Sequence, residues 1–267
     1  MANRIQWPSL LVEAAEIVGS YDTGVTLRQL FYRLVSKGML PNTKSAYCSL
    51  SHYTAQARRA GDFPALIDRT RTIHRYQSFE DVQAARMWLK SIYRRDRTEG
   101  QESSVYVGVE KAGIVEQLSA WFGEFGIPIL ALGGYASQTL VADIFADVSR
   151  QGRPAVLVYA GDFDATGTDI DRDLMERTGC FDEVHRIALN PEQIAEYDLP
   201  PLAGKMSDTR AAGFVEKHGE LIQVELDALP PDVLRKLYSA AIKQYLDLSQ
   251  YEAVVKQEAR EREELVA

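Results

Sequence analysis

The chain has 267 residues, 46% of them hydrophobic and 25% charged, which excludes a collagen-like or disordered protein and allows one large or two ordinary domains. Two cysteines exclude a disulfide framework and cysteine-based zinc spacing, so we expect a reducing, cytoplasmic location. The sequence has no apolar run long enough to span a bilayer and no signal-peptide pattern at its start, so no membrane association is expected.

The formal net charge of −8 is divided unevenly along the chain. Residues 1–105 carry 15 Lys and Arg against 10 Asp and Glu, whereas the remainder carries 15 against 28. A basic part followed by an acidic part is typical of a DNA-contacting module joined to a metal-binding module. The alternative is that the uneven distribution of charge arises by chance.

Three short helices are predicted first, over residues 8–19, 26–37 and 43–60, and Thr26 is a suitable N-cap for the second. Because the third helix has a basic side, the group is typical of a helix-turn-helix, with residues 67–75 as a wing. Basic side chains here are candidates for binding DNA phosphates, and solvated surface charge is the alternative for each. These candidates are Lys44, Arg58, Arg59, Arg69, Arg71 and Arg75.

The second predicted helix carries a tyrosine off its apolar stripe. In "TLRQLFYRL", the leucines and the phenylalanine fall on one face, while Tyr32 lies about 140° from Leu27 on a helical wheel. Arg28 precedes Tyr32 by one turn, a spacing at which side chains meet. The pattern predicts a solvent-facing phenol beside a guanidinium, for which an ordinary surface pair is the simpler interpretation.

After a predicted helix over 78–97 and a polar linker over 98–104, the pattern changes. Short apolar runs alternate with amphipathic segments, which predicts a parallel α/β sheet flanked by helices. We therefore place one domain at 1–100 and a second at 104–267, with a C-terminal helical extension. The predicted strands are 104–109, 127–132, 155–160 and 184–189, and the predicted helices are 113–124, 136–150, 168–177, 231–246 and 250–265.

Carboxylates follow two of these strands. Glu110 comes after the first strand, and Asp162 and Asp164 come after the third, two residues apart, so that in extended backbone both point to one side. Ligands gather at the carboxyl ends of parallel strands, and oxygen ligands without His or Cys suit Mg²⁺. An ordinary Asp/Gly turn is the alternative for the aspartate pair. Lys111 either neutralises a phosphate or is simply solvated.

Two motifs carry a resemblance to known proteins. The segments "VGVEKAG" and "YAGDFDATG" resemble a Toprim domain over residues 105–190. A basic winged helix with "RQLFYR" ahead of it is similar to the A subunit of type IIB topoisomerases (topoisomerase VI) and the related meiotic double-strand-break transesterase, here as a compact, stand-alone variant. Residues 224–229 are similar to the family's E-x-x-A-L stretch. Ala165 stands where the family often has proline.

The resemblance implies an α/β protein with an N-terminal winged-helix (helix-turn-helix) domain followed by a Toprim domain. It implies cleavage of double-stranded DNA through a 5′-phosphotyrosyl link, with Tyr32, Arg28 and Glu110 catalytic and Glu110, Asp162 and Asp164 holding Mg²⁺. The family also implies a homodimer in which the tyrosine of one protomer meets the metal site of the other. A separate ATPase B-type subunit is a further candidate partner, and a cytoplasmic, nucleoid-associated location is expected.

Other functions are consistent with the same residues. A Toprim nuclease would use metal-activated water and leave Tyr32 structural. Two further alternatives are a non-catalytic winged-helix DNA-binding protein and a primase-like polymerase. This chain lacks the zinc-ribbon cysteines that would support a primase. The irregular segment with Lys205, Asp208 and Arg210 either enters the site or forms a loop held by a salt bridge.

Overall fold

The computed structural model describes residues 5–67, 75–204 and 206–265. An N-terminal helical part precedes an α/β part, and further helices follow the sheet. The helices are α1 (Trp7–Gly19), α2 (Leu27–Ser36), α3 (Lys44–Ala60), α4 (Val82–Ile92), α5 (Val115–Phe122), α6 (Gln138–Gln151), α7 (Gly167–Thr178), α8 (Pro191–Glu196), α9 (Ala211–His218), α10 (Pro231–Ile242) and α11 (Leu248–Glu264). The strands are β1 (Ser104–Val109), β2 (Ile129–Ala131), β3 (Ala155–Ala160), β4 (Glu183–Ala188), β5 (Leu202–Ala203) and β6 (Ile222–Gln223).

The main sheet has the strand order β2-β1-β3-β4, and all its neighbouring strands are parallel. Every residue of β1 and β3 is buried, because these central strands are covered by helices on both faces. Val107 pairs with Ile129 on one side and with Val158 on the other. The predicted mixed α/β class with a helix-flanked parallel sheet is confirmed, and the ends of β1 and β3 lie side by side.

The helical part has its own core. Leu30, Leu34 and Leu50 are fully buried where α1, α2 and α3 pack together. The Thr26 side chain accepts a hydrogen bond from the backbone N–H of Gln29, whose side chain accepts one from the Thr26 N–H, so α2 begins with a capping box. Of the wing predicted over 67–75, Ile67 forms a parallel bridge with Thr26, and residues 68–74 lie outside the described part.

The helix predicted over 78–97 is shorter in the structure. It begins after Asp81, whose carboxylate caps the N–H of Ala84, and it ends at Ile92. Beyond it, Arg97 forms a bidentate ion pair with the buried Glu258 of α11 at 2.7 and 3.0 Å. That pairing directs the chain out of the helix and toward α11, an interaction that helical periodicity does not reveal.

The helical and α/β parts meet along α2. Arg33 donates to the carbonyl of Ala228 at 3.2 Å, in a 3-10 turn that packs against α2. Gln29 donates to the side chain of Gln117 on α5 at 2.9 Å. Across the described residues, none of the helices combines the length and apolar character that a membrane crossing requires.

Candidate active site

Glu110 and Asp162 meet at the carboxyl edge of the sheet. They follow β1 and β3, which are neighbours, and Glu110 Oε2 accepts a hydrogen bond from the Asp162 backbone N–H at 2.9 Å. Asp162 is only 3% exposed. The structure therefore brings together two of the three carboxylates that the sequence predicts to converge.

Asp162 is the most constrained acid of this edge. Its Oδ1 accepts the N–H of Leu226 at 2.9 Å, and its Oδ2 lies 2.5 Å from Lys111 Nζ. Burial and the charge of Glu110 raise the pKa of Asp162 to about 8, although Lys111 opposes this. Burial also raises the pKa of Glu110. Both shifts mean that burial at this edge disfavours the ionised carboxylates.

Asp164 lies where the aspartate loop turns into α7. The backbone does not stay extended after Phe163, and Asp164 Oδ1 instead accepts the N–H groups of Thr166 and Gly167 at 3.0 and 2.6 Å. These hydrogen bonds place Asp164 in the turn that begins α7. Asp164 remains close enough for its charge to raise the pKa of Glu110.

Lys111 is not a solvated lysine. Its side chain is 19% exposed, and Nζ lies 2.6 Å from Glu225 Oε2 as well as 2.5 Å from Asp162. Burial lowers the pKa of Lys111, but Asp162 and Glu225 more than offset this, so that its pKa is raised. Of the two alternatives for this residue, the solvated one is wrong. Its neighbours are carboxylates from two distant segments.

Glu225 and Asp227 join the site to α2. The same Glu225 Oε2 accepts from Arg28 Nη2 at 2.9 Å, and Asp227 Oδ2 accepts from Arg28 Nε at 3.3 Å. The sequence suggested these acids only through the similarity of residues 224–229, without a role. Glu225 and Lys111 are 114 positions apart, a separation at which spacing carries no contact information.

Tyr32 is less exposed than the helical wheel predicts. Its ring is partly buried against the core of the helical part, and the Arg28 guanidinium carbon lies 5.4 Å from the ring centroid. Burial and Glu225 raise the pKa of Tyr32, whereas Arg28 and Lys111 act in the opposite direction. The expected solvent-facing phenol is corrected to a partly covered one, because its ring packs against Phe31 of the helical core and under Arg28.

The charges of the site do not balance. Five carboxylates and three cations act electrostatically on one another, a formal excess of two negative charges when every group is ionised, which the raised pKa values of Asp162 and Glu110 reduce in this conformation. One divalent cation would neutralise that excess, and the all-oxygen donor set suits Mg²⁺ better than zinc. The group consists of Glu110, Asp162, Asp164, Glu225, Asp227, Arg28, Lys111 and Arg186.

The donors are not assembled as a metal cage in this conformation. In the described ranges, no three His, Cys, Asp or Glu side chains are grouped so as to hold an ion. Asp162 Oδ2 is taken by Lys111, and Asp164 Oδ1 is taken by the turn that begins α7. The chemistry of the residues fits a divalent cation, and Lys111 Nζ lies beside Asp162 Oδ2 in this structure.

The irregular segment before α9 reaches the aspartate loop. Asp208 accepts from the Thr166 hydroxyl at 2.7 Å, and Arg210 pairs with Asp169 at 3.1 Å. Lys205 lies outside the described residues. The segment is therefore held by a salt bridge, as one alternative predicted, and it lies beside the candidate site, as the other predicted.

The candidate DNA-binding residues are spread along the surface. Lys44 lies in the first turn of α3, and Arg58 and Arg59 lie in its last turn, all exposed. At 1.5 Å per residue the two ends are roughly 20 Å apart, so they would contact different phosphates of a duplex. Arg75 is exposed as well. Arg69 and Arg71 fall outside the described part of the chain.

Comparison with known proteins identifies no family for this chain. No family model matches the chain, and no curated protein matches it. What can be said of its function therefore depends on the residues of the site.

Proposed function

We propose that the chain is a DNA transesterase of the type IIB topoisomerase kind, with a winged-helix N-terminal part and a Toprim α/β part. One observation supports this most. Glu225 Oε2 accepts from both Arg28 and Lys111, so a single oxygen links the helix carrying Tyr32 to the buried Asp162. Phosphoryl transfer to a phenol needs a nucleophile, a cation beside it and a site that stabilises charge on the phosphate. The connected tyrosine, arginine and carboxylate pocket would supply these three.

Glu110, Asp162 and Asp164 are the residues that would hold Mg²⁺. Their oxygens match its preference, and with every carboxylate ionised the formal excess of two negative charges matches its charge. When bound, the ion would supply positive charge against the oxygens of the scissile phosphate. Arg28 and Lys111 are placed to add further positive charge on the Tyr32 side.

The transfer step exchanges one phosphodiester for another. The Tyr32 hydroxyl releases its proton to solvent, its oxygen bonds to phosphorus, and the bond from phosphorus to the 3′ oxygen breaks. The 3′ oxygen takes up a proton, and the 5′ phosphate stays on the tyrosine. Because no bond energy is lost to hydrolysis, resealing needs no ligase or nucleotide. A phenol with a pKa near 10 needs Arg28 as a cationic partner for this step.

Double-strand cleavage requires two such sites. A homodimer would provide one for each strand. The resemblance implies that the tyrosine of one protomer serves the metal site of the other, whereas in this structure Tyr32 lies near Lys111 and Glu225 of its own chain. The exposed cations of α3 and Arg75 would contact phosphates on duplex DNA. A separate ATPase B-type subunit is a further proposed partner.

The experiment is covalent trapping. Wild type and Tyr32→Phe are incubated with supercoiled plasmid and Mg²⁺, quenched with detergent and examined for protein attached to 5′ ends by mass spectrometry. We expect an adduct on Tyr32 in the wild type and none in the variant. Equal adduct in both proteins would contradict the assignment of Tyr32.

A Toprim nuclease using metal-activated water is the second candidate. The raised pKa of Tyr32 and its partial burial favour it, because both features oppose formation of a phenolate. This candidate predicts that Tyr32→Phe cleaves plasmid at the wild-type rate and leaves protein-free ends. Asp162→Asn would abolish cleavage under either function, so it serves as the control for contaminating nuclease.

A further inference from the structure

We propose that Lys111 is a built-in counter-ion that occupies the cation position at Asp162 and is released by divalent-cation binding to face the DNA phosphate. This inference rests on the divalent-cation site of the proposed function. It assigns Lys111 two positions and makes cation binding the event that selects between them.

The first position is the one in the structure. Lys111 Nζ lies between two carboxylates, 2.5 Å from Asp162 Oδ2 and 2.6 Å from Glu225 Oε2. Both acids are largely buried, so their charges are poorly screened by water. An ammonium held this way lowers the electrostatic energy of the pocket when no divalent cation is bound.

A divalent cation and the ammonium compete for one oxygen. Mg²⁺ binds carboxylate oxygens at about 2.1 Å, whereas Lys111 Nζ already lies at hydrogen-bond distance from Asp162 Oδ2. Two cations on the same oxygen repel each other strongly in a buried site. Binding of the ion to Asp162 therefore displaces Lys111.

Glu225 and a cleft determine where Lys111 goes. Its bond to Glu225 survives the loss of Asp162, so the ammonium stays near Arg28. A cleft of about 230 Å³ between the helical and α/β parts is lined by both Lys111 and Arg28, together with Gln29, Gly113 and Asp227. A phosphate oxygen entering this cleft would meet two adjacent cations, a guanidinium that can bind it with two hydrogen bonds and an ammonium that acts as a point charge.

The test measures cation binding without DNA or turnover. Mn²⁺ affinity of the full chain is determined by titration calorimetry and by electron paramagnetic resonance for wild type, Lys111→Met and Lys111→Gln. The matched control is Lys243→Met, which removes an exposed lysine of the same chain. Circular dichroism melts establish that each variant is folded.

We expect both Lys111 variants to bind Mn²⁺ at least about five-fold more tightly than wild type does. This factor is the lower end of the range for coupling between two binding sites. Lys243→Met should match wild type. Glu225→Gln should bind Mn²⁺ more weakly than wild type, because Lys111 would then be paired with Asp162 alone and would be harder to displace.

Two failures are distinguishable. Wild-type binding with unchanged or weaker affinity in folded Lys111 variants would overturn the counter-ion role and leave the proposed cation site intact. Absence of Mn²⁺ binding in every protein would overturn the cation site, and the counter-ion role with it.

Discussion

Gly167 lies where the aspartate loop turns into α7, and its lack of a side chain is required there. A Cβ built at this position would lie 2.5 Å from the carbonyl oxygen of Asp162, which is backbone and cannot rotate away. The Gly167 N–H also donates to Asp164 Oδ1 at 2.6 Å. The position of both aspartates thus depends on one residue that carries no functional group.

We expect Gly167→Ala to lower the free energy of unfolding by about 1–3 kcal/mol, the range for forcing extra atoms into a packed site. It should also weaken Mn²⁺ binding, because relief of the clash moves Asp162. Gly213→Ala is the control, since a Cβ there meets nothing within 4 Å. Alanine at a compatible position should stabilise by about 0.4–1 kcal/mol. Urea unfolding with unchanged midpoints for Gly167→Ala would contradict the steric argument.

At the scale of elements, α11 is joined to the segment after α4 by several polar contacts, of which the ion pair between Arg97 and Glu258 is buried. Arg97 and Glu258 make two hydrogen bonds, and the Glu258 side chain is 1% exposed. Arg262, one turn further along α11, also contacts Glu258 at 2.8 Å. The hydrogen bonds from Arg97 lower the pKa of Glu258, although burial opposes them.

Because this pKa is lowered in the folded state, the stabilisation is complete above the ordinary glutamate value of about 4.3 and is lost as the pH falls through the lowered pKa. Glu258→Gln should therefore lower the free energy of unfolding at pH 7 by about 3 kcal/mol, as breaking a buried pair does. Its difference from wild type should shrink toward pH 3. Urea unfolding at pH 7, 4 and 3 measures both effects.

The control for this element is Glu263→Gln, on the same helix. Glu263 pairs with Lys90 but is 73% exposed, so its loss should change stability by less than about 0.5 kcal/mol. A pH-independent effect of Glu258→Gln would show that packing, not charge, anchors α11.

At the scale of the whole molecule, the helical and α/β parts are joined by polar contacts around α2. Arg28, Gln29 and Arg33 each bond to a residue of the α/β part. Tyr32 therefore lies near its own chain's Lys111 and Glu225, where its pKa is raised. The proposed homodimer would supply the tyrosine from the other protomer.

Mixing inactive variants tests that arrangement. In a heterodimer of Tyr32→Phe and Asp162→Asn, exchange of tyrosines between protomers leaves one complete site, so the mixture should nick plasmid although neither variant does alone. Sites assembled within one chain would leave every mixture inactive. Co-expression with two affinity tags isolates the heterodimer, and a wild-type heterodimer with the same tags is the positive control.

The sequence by itself determined the alternation of strands and helices over residues 104–189 and the position of Glu110 and Asp162 at one edge of the sheet, and the structure made β1 and β3 neighbours. Alternating buried strands and amphipathic helices form a parallel sheet, and the carboxyl ends of its strands share an edge. Residues following neighbouring strands then come together whatever lies between them in the chain. The structure bears this out with the 2.9 Å hydrogen bond between these two residues.

Only the tertiary structure decided the partners of Lys111, the turn at Asp164 and the covering of Tyr32. The partners of Lys111 depend on the segment around Glu225, which returns to the sheet edge more than 100 positions after β1. Local periodicity describes which way a side chain points from its own element. It carries no information about which distant segment packs there, and the charges of that segment set the chemistry of the site.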